Sequence, residues 1–369
     1  MKNLNIVIIL SIIGLFSCKS DPEGFVIRVY TGDISDGTLF YLKNWSNNQL
    51  IDSANVRNGN FSLTGILSNT EHLLLYGIDS LTNEFIYTNL LIGNEKITIK
   101  ASKQDFPWNI DAKGSPSQDI AEKFNQIEYQ RQILSKKLKD DFETDFVRNK
   151  VEGFLNKRLQ HISDSQDKHK VELIKENFNS YAALINFKYF NDQFANEDLA
   201  NLYKTLSSEL KQSKYGKAIK TQIDFPAPEA GDSYHDFTAV NQHGDTMSLS
   251  EKLGKYVLIH FSSSGCLYSK QSIPELKKLY DIHEDKFEIV TISEDVDIDI
   301  WRKSIAKDSI MWTSLWYGNG EYSDAVIKYG IKGTPNYVLI SPDQKILEKW
   351  FGYRKGIIKQ KLESYLTKS

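Results

Sequence analysis

The sequence predicts a multi-domain chain: an antiparallel β domain at the N-terminus, a helical connector and a C-terminal α/β domain. Three observations carry this. At about 150 residues per domain, 369 residues exceed what one core usually serves. Apolar residues recur with period two up to about residue 100, with the helical period between about 116 and 220, and in alternating strand-like and helix-like runs after 233. Pro226 and Pro228 stand close together in the 221–232 stretch TQIDFPAPEAGD, where missing donors and restricted backbone end the helical pattern and mark a linker. Composition agrees with folded domains, at 40% hydrophobic and 25% charged residues. A formal net charge of -3 gives no basic field for a phosphate backbone, so no nucleic-acid partner is expected. The two cysteines, Cys18 and Cys266, can form neither a disulfide framework nor a four-cysteine zinc site.

Taken in order, residues 1–17 read as a signal peptide. One Lys precedes an apolar run from Ile6 to Phe16. At about 1.5 Å per residue, that run covers about half a bilayer core, too little for a spanning helix. Residues 18–24 are polar and short, a tether. Residues 25–115 form the β-rich domain. Runs such as FVIRVY, TLFYL and FSLTGIL alternate with Asn, Gly and Asp punctuation, and Val26, Tyr30, Phe40, Leu42, Phe61 and Leu63 are the expected core.

Residues 116–220 carry four helical stripes: Ile120, Phe124, Ile127, Leu134 and Leu138; Val147, Val151, Phe154 and Ile162; Leu173, Phe178, Tyr181 and Ile185; Leu199, Leu202, Leu206 and Leu210. Polar breaks are expected at 139–145, 163–168 and 191–197. The α/β domain occupies 233–369. A hairpin turns at Gln242-His243-Gly244-Asp245, KYVLIHF is a buried strand, and Cys266 opens a helix through about Tyr280. FEIVTIS is the next strand and DIDIWRKSIAK the next helix. GTPNYVLISPDQKILEKWFGY makes a second hairpin, and KGIIKQKLESYL closes the chain as a helix. The reactive residue therefore lies where strand meets helix.

Three resemblances add to this reading. Leu15-Phe16-Ser17-Cys18 resembles a bacterial lipobox, which implies acyl chains on Cys18 and a membrane anchor. The segment 254–280, with Asp236-Phe237, Gly244, Phe261, Pro274-Glu275-Leu276, Trp301, Trp312 and Gly333-Thr334-Pro335, resembles the TlpA-like thioredoxin-fold thiol-disulfide oxidoreductases of the bacterial envelope. The β-rich start, with its DSANVRNGNFSLTG stretch, resembles a domain of unknown function that precedes the thioredoxin module in such lipoproteins. The family's active site is WCxxC, in which the first Cys attacks a disulfide and the second resolves the mixed disulfide. The matching run here is Gly265-Cys266-Leu267-Tyr268-Ser269, so Trp is Gly and the resolving Cys is Ser269.

A thiol at a helix N-terminus faces the positive end of the helix dipole, which favours the thiolate. Ser269 lies on the same helical face and can donate its hydroxyl to the Cys266 sulfur. With no second thiol in the mature domain, Cys266 is expected to form mixed disulfides that an outside thiol releases, a monothiol cycle. The resemblance implies that Pro335 is cis and that Thr334 offers main-chain groups to an extended substrate, with Leu267 and Tyr268 alongside. His260, six residues before Cys266, occupies the place of a buried acid in classical thioredoxins. A neutral imidazole there relays a proton, and a charged one lowers the thiol pKa.

The seven histidines show no paired ligand spacing, so no metal is expected, and the chain has no Gly-rich phosphate loop and no expected cofactor. The leading function is thiol-disulfide exchange on protein or small-molecule thiols and disulfides. The expected location is the bacterial cell envelope, lipid-anchored on the periplasmic side, with the acidic tether leaving surface exposure as an alternative. The oligomeric state stays open. A redox-inactive binding or scaffold module is the competing class. A peroxidase of the peroxiredoxin type is disfavoured, because the Pro and Thr that family places before its Cys are Ile259 and Ser263 here.

Overall fold

The computed structural model describes residues 24–143 and 148–367. The expected signal peptide, Cys18 and Val147 lie outside the described residues.

Eight strands build the N-terminal region: β1 (Phe25–Tyr30), β2 (Leu39–Asn44), β3 (Leu50–Asn55), β4 (Asn60–Gly65), β5 (Glu71–Ile78), β6 (Phe85–Ile92), β7 (Lys96–Lys100) and β8 (Asp111–Lys113). They form two four-stranded sheets, ordered β4-β1-β7-β8 and β3-β2-β5-β6. Their inner faces share one core, in which Phe40 of β2 stacks on Phe61 of β4 with ring centroids 4.6 Å apart. Pairing is antiparallel except between β1 and β7, which run parallel. In β1 the expected phase is reversed: Phe25, Ile27 and Val29 are buried, while Tyr30 is 48% exposed. Both phases of FVIRVY are apolar at their ends. Arg28 decides between them, because it shares a face with Val26 and Tyr30 and a buried guanidinium would need a partner.

Six helices follow: α1 (Pro116–Glu143), α2 (Arg148–Glu176), α3 (Tyr181–Phe190), α4 (Asn196–Lys204), α5 (Ser208–Gln212) and α6 (Lys214–Asp224). The break expected at 163–168 does not occur, since α2 runs through it. The polar residues there lie on a solvated helix, where the Gln160 amide donates to Asp164 Oδ1 at 2.7 Å, an i,i+4 contact that supports the helix. Among the described residues, the first part of α1 and the last part of α2 reach the core, through Phe124, Val171 and Ile174, and Phe154 of the second stripe is exposed. In contrast α3 is buried nearly all round by Tyr181, Ala182, Ala183, Leu184, Phe187 and Phe190. It is capped by Ser180, whose hydroxyl accepts from the Ala183 N–H at 3.2 Å. The helical core takes in Leu91 of β6 on one side and Tyr322 on the other, so it is the middle layer between the two end domains.

The C-terminal domain comprises β9 (Thr238–Asn241), β10 (Thr246–Ser248), β11 (Tyr256–Ser262), α7 (Leu267–His283), β12 (Phe287–Ser293), α8 (Ile298–Asp308), β13 (Thr313–Trp316), α9 (Asp324–Lys328), β14 (Asn336–Ile340), β15 (Ile346–Phe351) and α10 (Ile357–Leu366). Its seven-stranded sheet is ordered β10-β9-β13-β12-β11-β14-β15. The central strand β11 is covered on both faces. Val257, Ile259 and Phe261 enter one core with α9, and Leu258 enters the other with α7 and α10, which explains why its sequence is a continuous apolar run. Strands β11, β12 and β13 are parallel, and β14 is antiparallel to β11. The ends of β11, β12 and β13 and the start of β14 therefore meet at one edge of the sheet.

Candidate active site at Cys266

That meeting of strand ends assembles the site. Ser262 ends β11 beside Ser293 of β12, and Phe261 pairs with Asn336 at the start of β14. The loop 263–266 is thereby set against Thr334-Pro335, whose peptide bond is cis. Cys266 is the N-cap residue of the 17-residue helix α7, with its own N–H donating to the Ser263 carbonyl at 3.0 Å and its carbonyl accepting from Lys270 at 3.2 Å. The thiol is partly exposed and donates to the Thr334 carbonyl at 3.3 Å.

In this thiol form the sulfur accepts no cap hydrogen bond, and the buried Ser269 hydroxyl has no partner. Both facts favour ionisation. A thiolate cannot donate to Thr334, but it can accept from Ser269 and from the first N–H groups of α7. Partial burial alone pushes the Cys266 thiol up. The Ser269 hydroxyl and N–H, the Thr334 side chain and the Tyr268 N–H outweigh it, so the thiol lies below its ordinary value. Leu267 and Tyr268 are exposed at the start of α7, flanking the thiol.

His260 is fully buried, and burial pushes its imidazole down to about 3, so the ring is neutral near pH 7. It stacks on Tyr337 at 5.1 Å between centroids, and its Nδ1 lies 3.3 Å from Thr291 Oγ1. That hydroxyl oxygen also accepts from Trp312 Nε1 at 2.8 Å. Nε2, the Tyr337 hydroxyl and Ser269 Oγ are all buried without partners. Among the described residues no hydrogen bond joins His260 to Cys266. Neutrality removes the charged-imidazole route to a lower thiol pKa.

Two acids that sequence reasoning missed stand at the end of β12. Asp295 clamps the active-site loop: Oδ1 accepts from the Ser264 N–H at 3.1 Å and from the Ser264 hydroxyl at 2.8 Å, and Oδ2 accepts from Ser293 at 2.9 Å. Glu294 donates its N–H to the Ser262 carbonyl at 2.8 Å, while its side-chain Oε1 is buried without a partner. Burial, with Glu321 and Asp295 nearby, pushes its carboxyl up to about 7 against the pull of Lys188. No spacing in the sequence singles out either residue. Only the parallel pairing of β11 and β12 places them beside the thiol loop.

Residues 254–346, which hold the strand, thiol, helix and cis-proline described above, match the family described as thioredoxin-like. The C-terminal domain is thioredoxin-like. Residues 25–121 match a domain of unknown function, so both parts of the sequence resemblance hold. The thioredoxin-like domain is similar to the thioredoxin domain of a thiol-disulfide oxidoreductase from Bacteroides vulgatus, at 27% identity, covering 38% of this chain and 100% of that one, with a TM-score of 0.36. It is also similar to a thiol-disulfide oxidoreductase from Bacteroides fragilis, at 28% identity over 37% of this chain and 100% of that one, TM-score 0.34. A thiol:disulfide interchange protein from a Bacteroides species is 27% identical over 38% and 93%, TM-score 0.36. No curated protein matches the chain. Among the described residues no helix is long and apolar enough to cross a membrane. The thioredoxin-like domain departs from the two-thiol pattern at one position, Ser269.

Proposed function

We propose that the protein carries out monothiol thiol-disulfide exchange through Cys266. The observation that carries this reading is the state of the thiol: part exposed, at the N-terminus of α7, and held below its ordinary pKa beside an uncommitted Ser269 hydroxyl. The Cys266 thiolate attacks one sulfur of a partner disulfide. A Cys266–S–S–R bond forms, and the other sulfur leaves as a thiolate that takes up a proton. A second, external thiolate then attacks the partner's sulfur in the mixed disulfide, forms a new disulfide with it, and returns Cys266 as a thiolate. Ser269 and the helix N-terminus stabilise the negative sulfur at both ends of the cycle. Thr334 presents its backbone to the partner, with Leu267 and Tyr268 at the rim, and His260 is the neutral relay.

The lipobox-like segment supports a lipid anchor on Cys18 and a position in the bacterial envelope, with protein or small-molecule thiols and disulfides as partners. The test is mass analysis of the oxidised chain. One disulfide adduct on Cys266, released by added thiol and missing in Cys266→Ser, is expected, and an unmodified Cys266 overturns the reading. Intact mass of the mature N-terminus from the native membrane tests the anchor, which fails if Cys18 carries no acyl mass.

A further inference from the structure

A cleft of about 940 Å³ opens between the three parts of the molecule, at the top of the range for ligand sites, and it begins at Thr334 beside the thiol. Its far wall comes from β6 and from α1 and α3, and most of its lining lies outside the thioredoxin-like domain. Several of its charged groups are already committed. Lys170 is paired with Glu128, Lys214 is bonded to Ser46, and Lys188, close by, is paired with Glu321. At the thiol end Glu294 keeps Oε1 buried and without a partner, and across the cleft the Trp108 indole N–H is likewise unpartnered. A buried carboxylate oxygen without a donor is costly, and so is an indole N–H without an acceptor. A ligand that satisfies both carries a cationic or amino donor for Glu294 and a carbonyl acceptor for Trp108.

Resting on the proposed exchange at Cys266, we infer that this cleft is the substrate site, and that it takes an extended polypeptide segment with a basic residue beside its reactive cysteine. The basic side chain meets Glu294, main-chain carbonyls meet Trp108, and the backbone of Thr334 aligns the segment so that its sulfur reaches Cys266. A small anionic thiol gains nothing from Glu294.

The test uses two peptides, identical except for Lys or Glu next to a cysteine capped as its thionitrobenzoate disulfide. Attack by the Cys266 thiolate forms the Cys266–peptide disulfide and releases the thionitrobenzoate anion, which is followed by its absorbance. The expected result is at least about fivefold faster reaction of the Lys peptide, with that ratio falling toward one in Glu294→Gln. Taking the ratio within each variant cancels any general change in thiol reactivity. Equal rates for the two peptides, a ratio unmoved by Glu294→Gln, or faster exchange with oxidised glutathione overturns the assignment.

Alkylation by iodoacetamide and peptide binding separate this inference from the exchange reading. If Cys266 resists iodoacetamide in the wild-type chain, the exchange reading falls. Binding of the Lys peptide, with Ser in place of its Cys, to the Cys266→Ser protein still tests the cleft. Weaker binding in an added Trp108→Phe change supports the site, and no measurable binding sinks it.

Discussion

Replacing Ser269 by Ala removes one hydroxyl and leaves the helix, the thiol and the Thr334 contact in place. In the thiol form this costs nothing in hydrogen bonding, because the hydroxyl has no partner there. In the thiolate form it deletes a donor to a charged acceptor. Such a bond is worth about 1.5–3 kcal/mol, and the part-exposed sulfur argues for the lower figure. About 1.4 kcal/mol is a factor of ten, so the thiolate population near neutral pH falls about tenfold. A more basic thiolate is also a better nucleophile, with a Brønsted slope of about 0.5, which returns about threefold. The net expectation is an iodoacetamide alkylation rate about threefold lower at pH 7. The rate difference should vanish, or reverse, at a pH above both thiol pKa values, where only intrinsic nucleophilicity differs. Stopped-flow alkylation across pH reads both limbs. An unchanged rate at pH 7, with a coincident pH profile, would refute the argument that Ser269 holds the thiolate.

Changing Ser269 to Cys should rebuild the two-thiol pattern and let an intramolecular disulfide close. Oxidation would then remove two hydrogens and block alkylation of both sulfurs, whereas two thiols still free after oxidation would mean that the α7 geometry cannot bridge them. Asp295→Ala should free the Ser263-Ser264 loop, cost about 2 kcal/mol or more, and speed amide exchange at Ser264 and Gly265; unchanged exchange there would show that the clamp is idle. Stability should rise from about pH 5 to about pH 6 by about 1.4 kcal/mol, measured by urea unfolding. Over that range unfolding releases His260 and His72, held down at about 3 and about 4, to take up protons, while Glu294, held up at about 7, gives one back, so one proton is gained on balance. His260→Asn should flatten that slope, and a slope that survives the change would mean that His260 titrates normally.

The elements that sequence alone placed well are those with long, unambiguous patterns. The strand KYVLIHF, the helix after Cys266 and the strand FEIVTIS follow from apolar runs and turn residues, and the thiol's place at a strand-to-helix junction follows with them. Strand β13 went unread because Thr313-Ser314-Leu315-Trp316 is only one short, irregular run, made a strand by pairing with β12 and β9. The phase of β1 turned on Arg28, a single charge in an otherwise apolar run. Glu294 and Asp295 could not be found at all from spacing. They sit about thirty residues beyond the thiol loop, and long-range parallel register alone brings them to it.

The single thiol and the wide cleft beside it fit together in the proposed cycle. In a two-thiol exchange the neighbouring sulfur ends the mixed disulfide quickly, so the partner needs little grip. In the proposed cycle, with Ser269 in that place, the mixed disulfide lasts until an external thiol arrives, and its lifetime is set by how the partner is held and how the sulfur is reached. A thioredoxin-like domain alone offers the Thr334 edge and the exposed Leu267 and Tyr268. Here the helical layer closes against Tyr322, the ion pairs Lys188–Glu321 and Lys332–Asp192 tie it to the thioredoxin-like domain, and Lys214 reaches Ser46 of the β domain. Those contacts make the cleft wall continuous from Thr334 to Trp108. On the proposed reading, the two N-terminal domains supply retention and selectivity, and the thioredoxin-like domain supplies the sulfur.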